Sequence, residues 1–84
     1  MARYFFDVHD GQVVSDRIGR EIADLSSVRR ESLQVATRRA ADDARDGRPC
    51  TIVLNVRDDR GDAVLTVNLV CQVVEAARAS APRS

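Results

Sequence analysis

Residues 51–74 constrain the fold more than any other part of the chain. They hold two β-rich runs, Thr-Ile-Val-Leu-Asn-Val-Arg and Asp-Ala-Val-Leu-Thr-Val-Asn-Leu-Val-Cys-Gln-Val-Val, separated by Asp58-Asp59-Arg60-Gly61. Period-two alternation on both sides of a polar, glycine-containing break is the pattern of a β-hairpin. Ile52, Leu54 and Val56 share one face of the first run; Leu65, Val67, Leu69, Cys71 and Val73 share one face of the second. Residues opposite each other across a hairpin share a face, so the two apolar sets meet only if the loop has the right parity. A loop of Asp58, Asp59, Arg60 and Gly61 meets that condition, pairing Val56 with Ala63, Leu54 with Leu65 and Ile52 with Val67. Gly61 then ends the loop, where a left-handed backbone costs a glycine little. A three-residue loop pairs the wrong faces unless a bulge corrects it.

The rest of the chain supplies partners for this hairpin. Residues 3–9 alternate as a strand, with Tyr4, Phe6 and Val8 on one face and Arg3, Phe5, Asp7 and His9 on the other. Asp10-Gly11 is a two-residue hairpin signal, so residues 12–15 should return as a short second strand carrying Val13 and Val14. Residues 16–19 read as another turn, after which Arg20-Glu21-Ile22 resumes the extended chain. A helix follows, capped by Asp24, Ser26 or Ser27. At 3.6 residues per turn Leu25, Val28, Leu33, Val35, Ala36, Ala40 and Ala44 form one broad apolar arc, with Ser32 inside it. Gly47 and then Pro49 stop the helix.

The predicted fold is therefore α+β, in the order β-β-α-β-β, with one helix on one face of a mostly antiparallel four-stranded sheet. Residues 1–74 form a single small domain, and 75–84, rich in Ala, Arg and Ser, form a frayed tail. The net charge is +0, which argues against a general polyanion binder. Every basic residue is arginine and the acids are as numerous, the composition of a GC-rich coding bias more than of phosphate recognition. The opening has no secretory signal pattern and no apolar run approaches a membrane span, so a cytoplasmic protein is expected. Cys50 and Cys71 lie diagonal to each other on one face in this register; reduced structural thiols are expected over a disulfide.

The run Arg3-Tyr4-Phe5-Phe6-Asp7-Val8-His9-Asp10-Gly11 resembles the start of a family of short bacterial proteins built on a domain of unknown function. Asp16 with Gly19 and Glu21, Asp24-Leu25, the alanine- and arginine-rich helix, and Val56-Arg57-Asp58 leading to Gly61 fit the same pattern. The resemblance covers about residues 3 to 74, with Ala23 standing where the pattern has proline. It implies no assigned reaction, cofactor or ligand.

Three groups of residues are candidate sites. Asp7 and His9 project from one sheet face beside Asp10, and imidazole with carboxylates can ligate a divalent metal. A closed site needs more ligands than this trio offers, so no metal and no cofactor are expected. Nucleophilic catalysis would have to rely on His9, the glycines form no phosphate loop, and no enzymatic activity is expected. Arg30, Arg38 and Arg45 could serve a nucleic-acid-associated regulator, an antitoxin-like partner for instance. However, Arg38 with Asp42 and Arg39 with Asp43 stand four apart and neutralise the helix face, so nucleic acid is not the expected partner. The sheet face left bare by a single helix is the third candidate. Phe5, Val53, Val64, Thr66, Val70 and Val74 point that way, and Phe5, Val64 and Val70 are the expected interface residues. The reading is a non-enzymatic protein-interaction module, homo-oligomeric, joined through that face or through exposed strand edges.

Overall fold

A computed structural model describes residues 2–76, so most of the expected tail, 77–84, lies outside the described residues. The element order is β1 (Ala2–His9), β2 (Val13–Val14), β3 (Arg20–Ile22), α1 (Leu25–Asp43), a short 3₁₀ turn (Ala44–Asp46), β4 (Cys50–Asp58) and β5 (Ala63–Cys71). All pairings are antiparallel. The sheet runs β2-β1-β4-β5, and β3 pairs with the same edge of β1 as β2 but at its other end. The fourth strand of the expected sheet is thus split in two. β2 covers only Val8 and His9, β3 covers Ala2 to Tyr4, and the middle of β1 faces the intervening loop.

The first hairpin has a longer loop than Asp10-Gly11 alone implies. His9 pairs with Val13, so Asp10, Gly11 and Gln12 all belong to the loop, and Gly11 takes a φ of 98°. The expected strand over 12–15 shrinks to two residues accordingly. The second hairpin departs in the way parity allows. The Asp58 amide donates to the Asp62 carbonyl and Arg57 opposes Ala63, so the loop proper is Asp59, Arg60 and Gly61. That three-residue loop starts the ladder on the wrong parity. A bulge next to Val56 and Arg57 restores it, leaving Val64 as the extra residue and pairing Val56 with Leu65, Leu54 with Val67 and Ile52 with Leu69. The same apolar sets meet as expected, two positions out of the expected register.

Asp24 caps α1: its carboxylate accepts from the Ser27 amide and the Ser26 hydroxyl. The helix enters cleanly although Ala23 precedes the cap. Its buried row is Val28, Ser32, Ala36 and Ala40, spaced by four, and it lies mainly over β4 and β5. Alanine at two of those positions lets the backbone approach Ile52 closely. The Ser32 hydroxyl, wholly buried, donates to the Val28 carbonyl at 2.6 Å and so carries no unpaired polar cost. Leu25 and Leu33, expected in the apolar arc, are instead 59% and 47% exposed, because the contact row is narrower than the arc. Phe6, Ile22, Leu54 and Val56 complete one end of the core, with Ile52 at the other. None of the described helices is long and apolar enough to cross a membrane.

Candidate functional site

The loop between β2 and β3 is tied to the uncovered sheet face by a carboxylate and an arginine. On the edge of β1 away from β4, between β2 and β3, the Phe6 amide would lack a ladder partner; it donates to Asp16 Oδ2 at 3.1 Å. Asp16 Oδ1 accepts from the amides of Ile18 and Gly19, both at 3.0 Å, folding the loop around its own side chain. The Asp16 amide in turn donates to Asp7 Oδ1 at 2.8 Å. Arg57 reaches across from β4, its Nε donating to Asp7 Oδ2 at 2.8 Å and its Nη2 to the Asp16 carbonyl at 2.9 Å. The guanidinium lies 4.6 Å above the Phe5 ring. Gly19, at φ 75°, passes so close that a Cβ there would sit 2.9 Å from the Phe5 ring and from Arg3 Cγ.

This is a brace, and it sets the acid behaviour. Burial would raise the Asp7 carboxyl, but the Arg57 hydrogen bond, the Asp16 amide and the Arg57 charge together hold it below 3.8. Burial would likewise raise Asp16, and the amides of Gly19, Phe6 and Ile18 overcome it. A carboxyl depressed in the folded state stabilises the fold fully above its unfolded pKa, and that stability is lost as pH falls through the folded value. Chemical denaturation midpoints should therefore fall steeply below about pH 4. Asp7→Asn should be less stable at neutral pH and show a flatter acid limb, measured by urea titrations across the range.

The candidate metal trio of Asp7, His9 and Asp10 does not converge. Asp7 is committed to Arg57. His9 Nε2 lies 3.4 Å from Asn55 Nδ2, and Asn55 Oδ1 accepts from the Thr66 hydroxyl at 2.9 Å. Asp10 turns the other way, to Arg39 on α1, whose hydrogen bond lowers its pKa against the effect of burial. Asp43, 4.0 Å from Arg39, is pushed up by burial and then by the neighbouring Asp10. Of the candidate arginines, Arg30 donates to the Ser27 hydroxyl at 3.2 Å, while Arg38 and Arg45 are exposed along the helix and the turn after it. The structure does not gather the three around one groove.

The interface trio divides as well. Phe5 is half-buried beneath Arg57. Val64, carried round by the bulge, packs on the Phe6–Val56 core instead of standing on the bare face. Val70 is 69% exposed as expected, and Val74 81%. With Asp7, Arg57, His9, Asn55 and Thr66 on it, that face is more polar than a continuous apolar patch. The apolar surface lies instead along the free edge of β5. An apolar groove of Thr37, Ala40, Ala41, Leu69 and Cys71 runs between that edge and the helix, with Val70 at its rim. A signal for this edge was available: residues 63–74 contain no charged side chain.

No curated protein and no solved structure matches the chain. A family model, described as a domain of unknown function (DUF6894), matches residues 3–71, the span from the Arg3 end of β1 to the last residue of β5, and the chain belongs to that family.

Proposed function

We propose that this domain is a non-enzymatic protein-interaction module of the cytoplasm that self-associates through the open edge of β5. One observation carries the reading: among the described residues β5 is a nine-residue strand paired on one side to β4, and from Ala63 through Val74 the chain bears no charge. A strand edge exposes a row of unpaired amides and carbonyls, and proteins that keep such an edge solitary place lysine, proline or inward charge on it. β5 has none of these; its single irregularity, the bulge at Val64, sits at one end and leaves the remainder regular. Antiparallel pairing about a two-fold axis would join two sheets and close the groove beside Leu69 over apolar side chains. The lack of charge favours a second copy of the chain over a charged partner.

Light scattering coupled to size-exclusion chromatography should return about twice the 9.3 kDa chain mass. Val70→Lys should weaken association at least tenfold, whereas Val14→Lys, on the opposite sheet edge and 48% exposed, should leave it unchanged. A monomer at all concentrations, or equal effects of the two substitutions, would refute the reading.

A further inference from the structure

We infer that Cys50 and Cys71 form a reversible redox pair that closes into an intrachain disulfide stapling the open end of the β4–β5 hairpin. The two residues are direct partners in the antiparallel ladder. Directly opposed residues there have Cα atoms about 4.5–5.5 Å apart, within the about 4.4–6.8 Å that a disulfide spans. Both side chains stand on the helix side: each packs on the Ala36, Ala40 and Ile52 cluster, and Cys50 Sγ lies 3.8 Å from the Ala40 carbonyl. Both are free thiols and both are half-buried. Cys50 is also reached from a groove beside Asp10, Asp43 and Pro49, away from the β5 edge, so an oxidant has access even with that edge covered.

The arrangement follows from the bulge at Val64. In the register of a four-residue loop the thiols are diagonal; the three-residue loop with its bulge sets them face to face. With hydrogen peroxide as oxidant, one thiolate attacks a peroxide oxygen, giving a sulfenic acid and, once its leaving hydroxide takes a proton, water. The second thiol then attacks that sulfur, forming the S–S bond as a second water leaves, so two electrons pass from the sulfurs to the peroxide. Burial, then the nearby Cys71, push the Cys50 thiol up, so closure should accelerate as pH rises above neutral.

The test treats the whole chain with dilute hydrogen peroxide and reads intact mass, thiol titration and peptide mapping under non-reducing conditions. The expected result is loss of the two thiol hydrogens, no titratable thiol, and a Cys50–Cys71 linked peptide, all reversed by dithiothreitol. A Tm raised by on the order of 10 °C should accompany closure. Cys71→Ser should abolish the mass loss and gain oxygen on Cys50 instead. Addition of oxygen to the wild-type thiols, covalent links between chains, or thiols that stay titratable would each overturn the inference.

Discussion

Asp16→Ala is expected to cost about 3 kcal/mol of folding stability, a large part of what a domain of this length has to lose. The side chain is the acceptor for three backbone amides, those of Phe6, Ile18 and Gly19. Without it, the Phe6 amide in the middle of β1 has no partner, because β2 stops at Val14 and β3 begins at Arg20. Hydrogen bonds to a charged acceptor are worth more than neutral ones, and the loss of the acceptor leaves donors unpaired in a half-buried place. Asp16→Asn separates these effects. An amide side chain keeps one oxygen but turns its NH₂ toward at least one donor, so it should recover only part of the loss. Urea unfolding of the three proteins measures the ranking, with wild type above Asn and Asn above Ala.

Gly19→Ala is the second large effect, about 2–4 kcal/mol, from two sources that add. Its φ of 75° lies in the left-handed region, which costs a non-glycine residue about 1 kcal/mol or more. The new methyl group would also press at 2.9 Å on the Phe5 ring and on Arg3 Cγ, neither of which is a free side-chain end. The ring is held under Arg57, and the Arg3 guanidinium is anchored to the Ile18 carbonyl and to Glu21. Overpacking of this kind adds about 1–3 kcal/mol. Gly61→Ala is the matched control: its φ is 87°, and a Cβ there meets nothing within 4 Å, so only the backbone cost remains. The difference between the two variants in thermal or chemical denaturation isolates the close approach of the loop to β1.

Hydrophobic periodicity made the hairpin, the helix and the α+β class legible, because the apolar faces of β1, β4 and β5 must meet under one helix whatever the loop details. Register was not legible to the same degree. A four-residue loop and a three-residue loop with a bulge bring the same faces together, and nothing in Asp58-Asp59-Arg60-Gly61 alone separates them. The Asp58 carboxylate, accepting from the amides of Arg60 and Asp62, stabilises the shorter loop. From that choice follow two consequences that alternation could not reveal: Val64 turns toward the core, and the two cysteines become opposite partners. The brace was half visible. Asp7, Asp16, Gly19 and Arg57 all stood out in the motif, but that they act on one another depends on the gap between β2 and β3, a tertiary feature. Leu33 misled because a wide arc on a helical wheel does not say how much of it a flat sheet can touch; the structure leaves it half-exposed.

Amide hydrogen exchange at several protein concentrations tests the association of β5 most directly. Amides across Ala63–Cys71 should exchange more slowly as concentration rises, while those of Arg20–Ile22, on the far edge of the sheet, should not change. Protection in β5 that is independent of concentration, or concentration-dependent protection confined to other surfaces, would contradict it.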